Sequence, residues 1–270
     1  LVTIDKYTGL GNDFLVVDGD ENGDSGHLDW AALAVEWCSP RSGFSADGLL
    51  VLGRIGESRL SMRLFNADGS VAEMSGNGIR CLVHAAVDRY GITGDRSFEV
   101  ETDAGVREVS IRGAGGTDVV ATVDMGPVTQ IAAPDNWEAL ECDPGRPVAH
   151  LSVGNPHGVV GVDDVSLVPL RELGERVPQI NLEIIAPGPE SNAITMRVHE
   201  RGVGITQACG TGACASAWAA SLWGLADPVN DEIVVHMEGG DVVVRLNAPQ
   251  PGHVTLTGPS AFVSRHVVDA

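Results

Sequence analysis

The chain repeats itself at about half its length. Ser75-Gly76-Asn77-Gly78-Ile79-Arg80-Cys81 runs on into Leu82-Val83-His84-Ala85-Ala86, and its counterpart is Cys209-Gly210-Thr211-Gly212-Ala213-Cys214, running on into Ala215-Ser216-Ala217-Trp218-Ala219-Ala220. The offset from position 75 to position 209 is 134 residues, and Asn66 and Glu200 keep it. Upstream, Gly11-Asn12-Asp13-Phe14-Leu15-Val16-Val17 matches Gly154-Asn155-Pro156-His157-Gly158-Val159-Val160. Downstream, Phe98–Glu101 with the Ala104-Gly105 turn echoes Ile233–His236 with Gly239-Gly240. Three matches in the same order predict two homologous domains facing each other, with a boundary near Gly126-Pro127 to Pro134.

Each half alternates short β-rich runs with one helical stretch. Asp13–Asp18, Leu49–Arg54, Leu60–Asn66, Phe98–Thr102, Val106–Arg112 and Val119–Met125 have strand length and β-branched content, separated by Gly, Asp or Asn. The second half supplies Ala149–Val153, Gly158–Val162, Asn181–Ala186, Ala193–His199, Glu232–Met237, Asp241–Asn247 and His253–Thr257. Gly76–Tyr90 and Gly210–Trp223 are largely uncharged and rich in Ala, Leu or Trp. A helix that is apolar nearly all round is buried, here inside a sheet curled about it. Asp29–Cys38 and Leu167–Gly174 read as outer helices.

Composition narrows the chemistry. Acids outnumber Lys plus Arg by 37 to 17, a formal charge of −20 that argues against nucleic-acid and anionic-membrane partners. Lys6 is the only lysine, which leaves almost no room for a pyridoxal phosphate Schiff base, so no cofactor is expected. The eight histidines form no HxH or HExxH pattern, so no metal is expected either. The N-terminus has no signal-peptide hydrophobic core, and the longest apolar runs are too short to span a bilayer. Five cysteines without a CxxC pair fit a reducing, cytoplasmic setting rather than a disulfide framework.

Each repeat sets Ser75 or Cys209 immediately before Gly-x-Gly at a helix start. The first helical turn leaves backbone N–H groups unpaired at the positive end of the dipole, and glycines let a carboxylate approach them. A cysteine there is expected to have a lowered pKa. With the halves face to face, two helix starts could hold one carboxylate, with Ser75 and Cys209 flanking its α-carbon. That is the geometry for removing a proton on one face and returning one on the other. The bland alternatives stay open: Ser75 can be a simple N-cap, and buried cysteines such as Cys38, Cys81, Cys142 and Cys214 are ordinary small apolar residues. What favours a site is the duplication together with Asn12, Asn66, Asn77, Asn155, Glu200 and Arg201 in or beside the Gly-rich segments.

Over nearly its whole length the chain resembles the diaminopimelate epimerases, cofactor-independent enzymes of lysine and peptidoglycan precursor synthesis. The resemblance is carried by Gly9–Phe14, Asn66–Ser70 through Glu73-Met74, Gly76-Asn77-Gly78, Gly154-Asn155-Pro156-His157, and Glu200–Gly204 through Ala208–Gly212. It implies an α/β (α+β) fold of two pseudo-symmetric domains, each a curled, mostly antiparallel sheet around a central helix. Residues 1–125 plus about 259–270 would form the N-terminal half and 126–258 the C-terminal half. It also implies a homodimer and a small-molecule substrate, diaminopimelate. By position, Cys209 matches one catalytic cysteine. Gly76, Asn77, Gly210 and Thr211 match the α-carboxylate site, while Asn12, Asn66, Asn155, Asn181, Glu200 and Arg201 match residues that hold the substrate's amino and carboxylate groups. His157 and Glu200 would stand near the thiols.

The family's other catalytic cysteine falls at position 75, where this chain has Ser. An alcohol is a poor acid for proton exchange near neutral pH, and mismatched acid–base catalysis costs roughly 10²–10⁴ in rate. Ser75 is either a natural variant with residual activity or a replacement that blocks turnover and keeps the shape. Two rival functions remain at this level: a proline or hydroxyproline racemase-type enzyme, and a non-catalytic amino-acid-binding relative. Asn77, where proline racemases commonly carry His, speaks against the first; only Ser75 speaks for the second.

Overall fold

The computed structural model describes residues 1–20 and 28–268. Two compact units divide the chain: Leu1–Val123 with Gly258–Ala270, and Asp124–Thr257.

In the first unit, β1 (Val2–Gly9) and β2 (Asn12–Asp18) form a hairpin, followed by α1 (Trp30–Trp37), β3 (Gly48–Arg54), β4 (Arg59–Asn66), the short β5 (Val71–Ala72) and α2 (Gly76–Arg89). Then come β6 (Arg96–Thr102), β7 (Gly105–Arg112) and β8 (Asp118–Pro127). β2–β3 and β4–β6 are parallel, and the remaining ladders are antiparallel. The sheet wraps α2, which packs on β1, β2, β3, β4 and β7 and is buried from Gly76 to Val87. β3 shows why the sequence reads as it does. Leu49 and Val51 join Trp30, Ala34 and Trp37 in a cluster beneath α1, while Leu50 faces Gly78 of α2. A strand covered on both faces needs a continuous apolar run rather than an alternating one.

The second unit repeats this plan. β9 (Thr129–Gln130), β10 (Val148–Ser152), β11 (Pro156–Gly161), α3 (Leu170–Arg176), β12 (Asn181–Pro187), β13 (Ala193–Glu200) and β14 (Gly204–Thr206) lead to α4 (Gly210–Trp223), then β15 (Glu232–Met237), β16 (Gly240–Leu246) and β17 (His253–Val268), which belongs to the first unit from Gly258 on. Here β11–β12 and β13–β15 are the parallel pairs. α4 packs on β10, β11, β12, β13, β15 and β16 and ends at Gly224, whose φ of 65° gives the left-handed stop that glycine takes without strain. Leu182, Ile184 and Ala186 of β12 pack beneath α3 with Leu170, Val177 and Ile180.

Two expectations need correction. The segment expected to hold the domain boundary, Gly126-Pro127 to Pro134, is partly strand, since β8 reaches Pro127 and β9 follows at Thr129. The last strand, expected to end at Thr257, continues to Val268. Its ladder with β16 ends at Thr257 and its ladder with β1 starts at Ala261, so Pro259, which has no N–H to give, falls between the two.

Candidate active site

Both helix starts are built alike. Ser75 and Cys209 are N-caps in extended conformation, with φ −137° and −134°. Ser75 Oγ accepts the N–H of Gly78 at 3.0 Å, and Cys209 Sγ accepts that of Gly212 at 3.4 Å. The next N–H groups, of Ile79 and Ala213, bond to the Ser75 and Cys209 carbonyls, each at 2.9 Å. The N–H groups of Gly76, Asn77, Gly210 and Thr211 lie in the first turn, where no intrahelical partner exists, and can be offered to a ligand.

Around Ser75 the polar residues lock onto one another. Asn77 Nδ2 donates to Asn12 Oδ1 at 2.6 Å, and Asn12 Nδ2 donates to Asp47 Oδ2 at 3.3 Å. Asn77 Oδ1 accepts from the fully buried Arg80, whose guanidinium also bonds the carbonyls of Gly76 and Pro259. Asn66 is exposed, and its Nδ2 donates to Ser70 Oγ at 2.9 Å. Cys81 is fully buried; its thiol accepts from Ser260 Oγ at 3.6 Å, and burial pushes it up to about 11.

The Cys209 start is equipped differently. His157 has no exposed surface; its Nδ1 is 2.7 Å from Glu183 Oε1 and its Nε2 2.9 Å from Asn155 Oδ1. Glu200 bonds Thr206 through its carboxylate and interacts with the Cys209 thiol, and burial raises its pKa. Thr211 Oγ1 lies 3.5 Å from Cys209 Sγ. Asn181 serves the backbone: its Oδ1 accepts the Arg201 N–H at 2.9 Å and its Nδ2 donates to the Pro156 carbonyl at 3.1 Å. The Arg201 side chain is exposed and makes no ion pair among the described residues. Among those residues no cluster of His, Cys, Asp and Glu could hold a metal, and no helix is long and apolar enough to cross a membrane.

The expected lowering of the Cys209 pKa is overturned. Burial raises it well above the ordinary thiol value, and the charges of Glu200 and Glu183 raise it further, outweighing the hydrogen bonds from Thr211 and the Gly212 N–H. The resting thiol therefore carries its proton.

Glu183 is the residue that motif reading missed. It is fully buried in β12, and Gly212 is tight against it. The available signal was a single acid in the otherwise apolar run Leu182-Glu183-Ile184-Ile185.

The model of the diaminopimelate epimerase family matches residues 4–131 and 150–263. A diaminopimelate epimerase from Bacteroides thetaiotaomicron is 38% identical over 96% of this chain and 94% of its own length. One from Heliobacterium modesticaldum is 37% identical over 96% and 97%. Among solved structures, a phenazine biosynthesis protein of the PhzF family from Bacillus anthracis superposes with a TM-score of 0.76 at 16% identity, covering 100% of this chain and 99% of that one. A hydroxyproline epimerase from Agrobacterium vitis reaches 0.66 at 18% identity, over 99% and 90%. At those identities the two structures speak for the fold alone.

Proposed function

The chain belongs to the diaminopimelate epimerase family of amino-acid epimerases, and from that premise we propose that it moves the α-proton of one stereocentre of diaminopimelate, interconverting the LL and meso forms, with Cys209 as its competent acid–base group. The observation that carries this is a buried thiol at a helix start, kept protonated beside carboxylates. When Cys209 donates, the S–H bond breaks, a C–H bond forms at the α-carbon and a thiolate remains. In the reverse direction the thiolate takes the α-proton. The negative charge that develops between these steps is delocalised into the α-carboxylate. The first-turn N–H groups beside the thiol, of Gly210 and Thr211, are suited to hold it, and those of Gly76 and Asn77 make a matching carboxylate cradle in their own unit.

Asn12, Asn66, Asn155, Glu200 and Arg201 hold the substrate's remaining amino and carboxylate groups, and Asn181 acts by bracing the Arg201 backbone. His157 supports the Cys209 half. Position 75 is the second base position, where Ser makes a weak acid. No cofactor enters the mechanism. Part of the proposal, resting on the resemblance, is a cytoplasmic homodimer, which light scattering of the purified protein tests for the oligomeric state.

The deciding experiment follows the α-proton of LL- and meso-diaminopimelate by ¹H NMR in D₂O. Exchange is expected with this protein and absent with Cys209→Ala. Exchange that persists in the alanine variant would overturn the assignment.

A further inference from the structure

Arg80, Asn77, Asn12 and Asp47 form an unbroken chain of hydrogen bonds, running from α2 through the start of β2 to the residue before β3. Arg80 Nη2 stands 2.8 Å from Asn77 Oδ1, Asn77 Nδ2 2.6 Å from Asn12 Oδ1, and Asn12 Nδ2 3.3 Å from Asp47 Oδ2.

The direction of this chain is set at one end. The two ends of an amide are told apart by their partners, and a guanidinium is a partner that only donates and always keeps its charge. The Asn77 amide must therefore turn its oxygen to Arg80, which leaves its nitrogen facing Asn12. Asn12 must answer with its oxygen, and its own nitrogen then faces Asp47. Asp47 Oδ2 fits that end, since it already accepts the Asp13 N–H at 2.8 Å. Arg80 and Asn77 are buried, whereas Asn12 is partly exposed. With the Asn12 oxygen turned inward to Asn77 and one amide hydrogen given to Asp47, the group left for a ligand is the second amide hydrogen. A ligand bearing ammonium and carboxylate groups can meet that hydrogen only through a carboxylate.

The other unit shows that the helix start does not demand this chain. The repeat sets Arg80 against Cys214 and Asn77 against Thr211. The β2–β3 ladder pairs Phe14 with Gly48 as the β11–β12 ladder pairs His157 with Asn181, so Asp47 falls against Ile180. Cys214 is fully buried, and Ile180 belongs to the apolar cluster beneath α3. The same fold position thus accepts a small apolar residue where the first unit buries a cation. Burying a charge is costly unless its donors are satisfied, and here three of the acceptors are the carbonyls of Gly76 and Pro259 and the Asn77 side chain.

We propose that Arg80 is a positioning residue: acting through Asn77, it holds the Asn12 amide donor-outward and so makes Asn12 a contact for a substrate carboxylate rather than an ammonium. The orientation stands on the hydrogen bonds alone, and only the carboxylate contact rests on the function proposed above.

The test has two arms. Neutron diffraction from a deuterated crystal of the free protein is expected to place an Asn77 Nδ2 deuteron toward Asn12 and an Asn12 Nδ2 deuteron toward Asp47. Either amide turned the other way overturns the proposal, whatever the substrate. In the second arm, meso-diaminopimelate is titrated into variants that keep a cooperative thermal transition. Asn12→Asp keeps an oxygen for Asn77 and has no hydrogen to give, so binding is expected to weaken about tenfold or more. Unchanged or tighter binding, the mark of an ammonium contact, overturns the proposal. Arg80→Gln replaces a pure donor by a group that can also accept, and is expected to weaken binding about fivefold or more. Arg80→Lys, which again only donates, should lose less. A folded Arg80→Gln that binds like the unaltered protein, or an Arg80→Lys that loses as much, overturns the positioning role. A variant that does not fold leaves the decision to the neutron map. Failure of the unaltered protein to bind diaminopimelate strikes the proposed function, and the neutron map still decides the orientation.

Discussion

Gly212 lies so close to Glu183 that a Cβ at position 212 would stand 2.6 Å from Oε1 and 3.2 Å from Cys209 Sγ. Glycine is required here by contact, since the position is ordinary helix. Gly212→Ala must push the carboxylate off His157 or shift the thiol, and overpacking of this kind costs about 1–3 kcal/mol. Gly78→Ala is the built-in control: its new methyl would meet Ser75 Cβ at 3.1 Å and Leu50 at 3.5 Å, with no carboxylate to displace. Thermal unfolding and α-proton exchange should both fall more for Gly212→Ala than for Gly78→Ala. Equal losses would contradict the account of Glu183.

The Cys209 thiol should be slow to alkylate at neutral pH. Its pKa is raised, so the thiolate fraction is small at pH 7 and grows as pH rises past the ordinary thiol range near 8.5. Iodoacetamide labelling at Cys209, followed by mass spectrometry against Cys209→Ala, is expected to keep accelerating up to and beyond pH 9. A plateau already at neutral pH would mean that the helix dipole wins over the carboxylates. Cys38, pushed up to about 12 by burial, and Cys81, pushed up to about 11, should likewise be slow to label at neutral pH.

Why the direction at Cys209 was illegible, while its position was plain, is a matter of range. The Gly-x-Gly helix start and its N-cap are local, and both appear in the structure where the repeat put them. The raised pKa comes from residues that the sheet brings in. Glu183 reaches the thiol only because β12 runs parallel to β11 and turns its odd positions toward α4. From sequence, Glu183 was one letter in an apolar strand. β17 failed for a similar reason: Gly258-Pro259 looks like a stop unless one knows that the strand changes partners there.

Asp5 should be the most sensitive acid in the first unit. It is fully buried, with Arg265 Nε at 2.6 Å and Arg89 Nη2 at 2.8 Å. These contacts tie β1 to β17 and to the end of α2. Removing the carboxylate takes a buried charge partner from Arg89 and Arg265 alike, and breaking a buried pair costs about 3–5 kcal/mol. Asp5→Ala is therefore expected to lower the denaturant midpoint strongly. Arg265→Ala should cost less, because Arg265 is half exposed and Arg89 still partners Asp5. The reverse order would show that Arg265, not Arg89, is the main charge partner of Asp5.

Position 75 is the place where a single atom should matter most for rate. Ser75 Oγ already occupies the cap position that Cys209 Sγ occupies in its own unit, bonding the N–H three residues on, so Ser75→Cys needs no backbone change. What changes is acidity: a thiol titrates near pKa 8.5, whereas an alcohol does not ionise in the working range. If position 75 supplies one of the two bases, the variant should exchange the α-proton and interconvert the isomers faster by about 10²–10⁴. Binding of diaminopimelate should change little, because the first-turn N–H groups stay in place. Matched time courses of isomer interconversion and binding titrations for the two proteins measure both quantities. Tighter binding with no gain in rate, or no change in either, would mean that position 75 supplies no base.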